Sequence, residues 1–409
     1  MSTRRTVAAA AVALAAGAAA AAPAVAAPPA DRGPQPNLRV ATYNASLNRA
    51  TEGELVADLS TPDNGQAQAV AEVVQITEPD VLLLNEFDYD AGGVAADLFR
   101  DNYLEVSQGG QDPVEYPYAY SAPVNTGVPS GFDLNNDGSV GGPDDAWGFG
   151  FFPGQYGMLV LSKYPIATEE VRTFQEFRWQ DMPGNVIPDD WYTAEELAEF
   201  PLSSKSHWDV PIEAGTQTIH VLAAHPTPPT FDGPEDRNGR RNHDEIRFWA
   251  DYVAGAEYIY DDAGVTGGLK AGERFVIAGD YNADPYDGDS YAGAIDQLLD
   301  HRRIQDPLPT SAGAVEAAEL QGGANEDHEG DPAYDTADFN DDPAPGNLRA
   351  DYVLPSRNLR VVESGVFWPE QGQPGSELTG TFPFPTSDHR PVWVDLRVPG
   401  GKDLSPRGR

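Results

Sequence analysis

Short apolar runs in this chain repeatedly stop on a residue that can hold a metal or move a proton. Leu38 to Asn44 ends on Asn44, Val81 to Glu86 on Glu86, Thr218 to His225 on His225, and Arg274 to Asp280 on Asp280, with Asn282 just beyond. Each run has the length and β-branched content of a strand, and the unbroken apolar start Val81 to Leu84 suits a strand covered on both faces. Further strands are expected at Tyr156 to Leu161, Ala350 to Leu354, Leu359 to Phe367 and Pro391 to Leu396. Helical spacing appears between them. Ala67, Val70, Ala71 and Val74 form one stripe in Gln66 to Ile76, which stops before Pro79, and Ile246, Trp249, Ala250 and Val253 share a face in Arg241 to Tyr260. Such alternation specifies an α/β fold, in which strand ends converge on one rim where ligands bind. Asp351 opens a late strand, and Asp388 and His389 directly precede the last.

Singly, each of these residues has an ordinary explanation. Asn44 and Asn282 suit turns, Glu86 a solvated strand end, Gly279-Asp280 a turn, Ser387-Asp388 a cap, and His225 a structural histidine. Their joint occurrence on otherwise apolar strands exceeds what turn chemistry requires.

Composition narrows the chemistry. There are 26 Lys+Arg against 65 Asp+Glu, a formal charge of -39, which repels nucleic acids and anionic membranes unless cations or a local basic patch intervene. The absence of cysteine excludes disulfides, thiolate zinc sites and cysteine nucleophiles. At the start, Arg4 and Arg5, the alanine-rich run Thr6 to Ala22 and the small residues Ala24-Val25-Ala26 have the order of an export signal, expected over residues 1–27. The arginine pair partly resembles a twin-arginine signal, so the Sec and twin-arginine routes both stay open. One catalytic domain is expected over 36–399, a polar tail over 400–409, and no membrane span after the signal.

Two Gly-, Pro-, Asp- and Asn-rich insertions, 118–155 and 306–347, are too long for bare connections and are read as functional loops or mobile excursions. Within the first, Asp133, Asn135, Asp137, Ser139 and Asp144 fall at positions 1, 3, 5, 7 and 12 of a calcium-loop pattern, with Gly138 at position 6 and Val140 at 8. Ca²⁺ is the expected ion, in a stabilising role. After His225, Arg237, Arg240, Arg241 and Asn242 open the helix that carries Ile246; they are candidates for substrate phosphate, or for structural pairing with Glu235, Asp236 or Glu245. The aromatic group Trp147, Phe149, Phe151, Phe152 and Tyr156 is read as anchoring the first insertion or gripping a leaving group.

The ordered segments Thr42-Tyr43-Asn44, Asn85-Glu86, His225, Gly279-Asp280-Tyr281-Asn282, Arg349 to Leu354 and Ser387-Asp388-His389-Arg390-Pro391-Val392 resemble the motifs of the endonuclease/exonuclease/phosphatase superfamily. That group includes pancreatic-type deoxyribonucleases, apurinic endonucleases, sphingomyelinases and inositol polyphosphate 5-phosphatases. The resemblance runs from about Leu38 to Val398; G-D-Y-N and S-D-H-R-P-V are its specific signals. Tyr43 where tryptophan is common and Phe87 after the glutamate are minor departures, while the two insertions lack counterparts in the compact nucleases.

The resemblance implies a four-layer αββα sandwich of two mixed β-sheets. It also implies roles: Glu86 as principal ligand of Mg²⁺ or Mn²⁺, with Asn44 and Asp388 beside it; Asp280 as the base that activates water, or a ligand when a second ion is present. Asn282 would orient the nucleophile or a phosphate oxygen, His225 and His389 would donate to phosphoryl oxygens, and Asp351 would fix the His389 tautomer. The expected activity is hydrolysis of a phosphomonoester or phosphodiester by in-line water. An extracellular nuclease is the alternative, disfavoured by charge, followed by a lipid-headgroup hydrolase. From another class, a non-catalytic calcium-binding or adhesive module is the alternative. A monomer acting on a phosphate-ester substrate is expected.

Overall fold

The computed structural model describes residues 38–400, and every run expected to be a strand within them forms one, its ends shifted by a few residues. The expected export signal lies outside the described residues, as does the tail beyond residue 400. The strands are β1 (Leu38–Leu47), β2 (Val81–Phe87), β3 (Tyr118–Tyr120), β4 (Met158–Ser162), β5 (Arg172–Thr173), β6 (His207–Ala214), β7 (Gln217–Ala224), β8 (Arg274–Asp280), β9 (Ala337–Asp338), β10 (Asn347–Leu348), β11 (Asp351–Pro355), β12 (Arg360–Val366) and β13 (Val392–Arg397). One sheet runs β12-β13-β1-β2-β4-β3 and the other β11-β8-β7-β6-β5, while β9 and β10 form a separate ribbon. Both sheets are mixed: β1–β2 and β7–β8 are parallel, the remaining pairs antiparallel.

Alternation along the strands separates three cores. Leu38, Val40, Val81, Leu83, Val221, Ala223, Val276, Ala278 and Val353 face one another between the sheets. The opposite parity of the first sheet, including Ala41, Tyr43, Leu82 and Leu84, packs with Val70, Ala71 and Val74 of the helix Gly65–Thr77. That of the second, Leu222, Ile277, Tyr352 and Leu354, packs with Ile246, Trp249 and Val253 of the helix Arg237–Ala254. Helix, sheet, sheet and helix make the four-layer αββα sandwich. At about 25 cal/mol per Å² of apolar surface, this burial dominates the stability of the unit.

Three sequence expectations need correction. The helix read as Arg241 to Tyr260 begins earlier and ends at Ala254, because Gly255 takes φ +83° and caps it in a left-handed conformation. Strand β6 was not expected: Pro211 and two acidic residues mask its pattern, yet it pairs with β7 over its whole length. The insertions are partly ordered structure, since 118–155 opens with edge strand β3 and 306–347 holds the helix Ala312–Gln321 and strand β9.

Candidate active site

The parity that builds the inner core also aims the site. Continuing the inward set Val40, Val221 and Ala223, Val276 and Ala278, and Val353 to the strand ends brings Asn44, His225, Asp280 and Asp351 into the slot between the sheets. β11 runs antiparallel to β8, with Asp351 opposite Asp280, so the start of one strand meets the end of the other. Glu86 has the wrong parity, because Leu82 and Leu84 face the outer helices. Its φ of +57° breaks the alternation, and the facing strand is irregular between Asn44 and Leu47, with Ser46 at φ +48°. A left-handed residue that is not glycine costs roughly 1–3 kcal/mol, strain that persists here where a carboxylate is turned towards the slot.

Asp280 is the hub. Its Oδ2 accepts from Asn44 Nδ2 at 3.0 Å and lies 3.4 Å from His225 Nε2 and 3.6 Å from His389 Nε2. Its Oδ1 accepts the Asn282 amide at 3.0 Å, with Asn282 itself at φ +51°. His389 Nδ1 donates to Asp351 Oδ2 at 2.8 Å, which holds the ring in place. Glu86 Oε2 accepts from Asn48 Nδ2 at 2.7 Å. Among the described residues, Asp280, Asp351 and His389 place ligand atoms within 4.8 Å of one another.

The charges at this hub are strongly perturbed. Burial pushes the Asp280 carboxyl up to about 6, with His389 opposing and Asp351 adding to the rise. Glu86 is also raised, by burial first and then by repulsion from Asp388. Burial, with Lys205 and His389 nearby, keeps His225 well below the usual histidine value, so it is neutral. For His389 burial works against the charged form, but Asp351, Asp280 and Asp388 outweigh it and hold the imidazole well above its ordinary value. Crowded, partly desolvated carboxylates with amide and imidazole donors make a hard oxygen site suited to a divalent cation, and the buried Asp351 Oδ1 has no hydrogen-bond partner among the described residues.

Other expected residues lie elsewhere. Arg241 and Asn242 do not face the slot: the Arg241 guanidinium donates to Leu202 and Pro201 carbonyls and lies over Phe200, while Asn242 Nδ2 donates to Thr227 and Tyr281 carbonyls at 2.8 and 2.9 Å. Both brace the loops behind the site, and their desolvated contacts replace the expected phosphate role. Arg240 donates to the Val186 carbonyl and lies over Tyr291, and Arg237 pairs with Glu235. Asn282 Nδ2 donates to the Pro226 carbonyl at 3.3 Å. In the first insertion, Asp133, Asn135 and Asp137 turn onto the amides of Asp137, Gly138 and Ser139. Asp145, next to the expected Asp144, is the carboxylate that reaches in, to the amides of Leu134 and Gly141 at 2.7 Å. Trp147 packs on Phe132 and Phe200, whereas Phe149 and Phe151 stand exposed against each other.

Lys205 was missed by sequence reasoning. It precedes β6, whose His207 pairs with Ala224, so the register sets Lys205 beside His225 at the rim. It is buried, its ammonium makes no ion pair among the described residues, and burial lowers its proton affinity while Glu245, Glu86 and Asp280 pull it back. The available signal was its rarity, as one of four lysines in the chain. Thr336 was missed as well; nothing in its local sequence marks it, but its hydroxyl donates to Asp351 Oδ2 at 2.9 Å.

The pattern that defines the Endonuclease/Exonuclease/phosphatase family matches residues 41–389. None of the curated proteins compared with the chain matches it. Among solved structures, the endonuclease/exonuclease/phosphatase from Beutenbergia cavernae is similar with a TM-score of 0.50 at 17% identity, over 88% of this chain and 71% of that one. A Staphylococcus aureus beta toxin mutant with bound magnesium ions gives 0.45 at 15% identity, over 88% and 99%. Sphingomyelinase C from Streptomyces griseocarneus gives 0.43 at 16% identity, over 87% and 98%. At such identities the first likeness speaks to the fold alone.

Proposed function

The chain belongs to the endonuclease/exonuclease/phosphatase family of metal-dependent phosphoesterases, and on that premise we propose that it is an exported hydrolase of small phosphomonoesters or phosphodiesters. The observation that carries this reading is the convergence of Asn44, His225 and His389 on one oxygen of Asp280. Glu86, with Asn44 and Asp388 beside it, would hold Mg²⁺ or Mn²⁺. When bound, the ion supplies charge neutralisation at the phosphoryl oxygens and assists the departing alkoxide.

The chain's own residues supply the rest. Asp280, raised to about 6, is ionised at neutral pH yet basic enough to take a proton from an attacking water. Asn44 fixes the rotamer of that carboxylate, and the Asn282 amide occupies its other oxygen. His389, held protonated by its acidic neighbours, offers Nε2–H to a phosphoryl oxygen, while neutral His225 offers a second donor. Water attacks directly, so no covalent enzyme intermediate is needed.

The charge of -39 favours small or cation-masked esters over long polyanions, which places a nuclease second. The 133–144 loop is assigned Ca²⁺ in a stabilising role, and the N-terminal segment is assigned to export. The test is hydrolysis of mono- and bis-nitrophenyl phosphate, inositol phosphates and plasmid DNA with Mg²⁺, Mn²⁺ or Ca²⁺. Turnover of the small esters that EDTA abolishes is expected; full-rate turnover after metal stripping would overturn the metal-dependent reading.

A further inference from the structure

The second insertion grips the segment that carries His389. The Arg390 amide donates to the Thr336 carbonyl at 2.7 Å, the Asp338 amide donates to the Asp388 carbonyl at 2.7 Å, and Ala337 forms a bridge with His389 between them. Arg390 Nη2 meets Asp338 Oδ2 at 3.1 Å with both side chains buried, and the Phe339 ring stands edge-on to the imidazole at 5.3 Å. The ribbon is closed from behind, where the Thr336 amide donates to the Leu348 carbonyl.

At the centre of this mount is the fully buried Thr336 hydroxyl. It accepts from the amides of Ala350 at 3.0 Å and Asp351 at 2.9 Å, and it donates to Asp351 Oδ2 at 2.9 Å. A hydroxyl has one proton and two acceptor sites, so the two amides leave the proton only one direction, towards the carboxylate. Asp351 Oδ2 thus receives Thr336 Oγ1 and His389 Nδ1 together, while Oδ1 has no hydrogen-bond partner among the described residues. Among the described residues, Thr336 and His389 are the two side chains that hydrogen-bond this carboxylate.

We propose that Thr336 is a positioning residue of the active site, setting the Asp351 carboxylate and through it the direction of His389 Nε2, so that insertion 306–347 is part of the catalytic apparatus. The proposal rests on the reading of His389 as the phosphoryl donor. Loss of an outer partner of this kind typically costs about 10- to 100-fold in activity. The effect belongs in kcat, because the donor's aim matters most as charge develops on the phosphoryl group.

The test pairs Thr336→Ser with Thr336→Ala in the Mg²⁺-loaded full chain. Both remove the methyl group and only Ala removes the hydroxyl. With nitrophenyl phosphate as substrate, the Ala variant is expected to lose about 10- to 100-fold in kcat with KM nearly unchanged, and the Ser variant to stay within about threefold of the parent. The strongly hydrogen-bonded His389 Nδ1 proton, read by NMR without substrate, should keep its downfield position in Ser and move in Ala. Equal kcat and an unmoved proton in a folded Ala variant would overturn the proposal. If the Ala variant does not fold, Ser decides: a folded Ser variant with a tenfold loss of kcat and a moved proton also overturns it. If the parent hydrolyses no phosphate ester, the proposed function fails, and the proton signal alone judges Thr336.

Discussion

The loop 133–144 of the first insertion and the second insertion are alike in composition and differ in where their acidic and polar side chains bond. In residues 133–144 the side chains of Asp133, Asn135 and Asp137 bond amides of their own loop, and Ser139 and Val140 are exposed. In residues 306–347 the bonds run outward: Thr336 to Asp351, Ala337 to His389, and Asp338 to Asp388 and Arg390. Gly, Pro and Asp announce irregular backbone in both cases, but the destination of the hydrogen bonds decides whether an insertion is an appendage or a wall of the site.

The largest expected effect breaks the committed insertion. Asp338→Ala leaves the buried Arg390 guanidinium without its carboxylate, and losing one partner of such a pair costs about 3–5 kcal/mol. Urea denaturation should show that loss, with a fall in kcat among molecules that remain folded. A variant as stable as the parent would erase the contrast between the insertions.

The 133–144 loop should respond to calcium and not to chemistry. Saturating Ca²⁺ at about 100 times its dissociation constant should add about 2.7 kcal/mol of stability. Asp137→Ala should abolish that gain while kcat with Mg²⁺ stays within about twofold. A comparable fall in kcat would show that this loop, too, is tied to the slot.

The smallest effect concerns pH. Burial, with Asp284, Asp287 and Asp331 facing it, pushes the Asp335 carboxyl up to about 9. The folded state therefore binds a proton that the unfolded state releases near pH 4, so this residue's contribution turns increasingly unfavourable as pH rises from about 4 to about 9. Asp335→Asn should raise stability, and by more at pH 8 than at pH 5. A gain that is larger at pH 5, read from urea midpoints, would reverse the assigned sign.

Much of the fold was legible because its strands follow simple rules. Short β-branched or unbroken apolar runs marked β1, β2, β7 and β8, and their ends on Asn44, Glu86, His225 and Asp280 pointed towards a common rim. β6 was hidden by Pro211, and with it Lys205, whose place depends on pairing with a strand that the local text does not announce. Thr336 was invisible for a different reason. Its role arises from contacts with Asp351 and Arg390, brought to it by tertiary folding, and one threonine among polar neighbours carries no period or motif. The arginines after His225 were conspicuous by charge, yet desolvation and backbone carbonyls determine the use of Arg241.

The central claim is that residues from distant segments act as one metal-dependent centre around Asp280. Its most direct test is turnover of nitrophenyl phosphate by Asp280→Asn with saturating Mg²⁺, alongside its thermal unfolding. The account predicts a fall in kcat of at least about 100-fold in a protein that still unfolds cooperatively, since a base of this kind contributes about 10² to 10⁴ in rate. A folded Asp280→Asn protein that turns over substrate at the parent rate would contradict it.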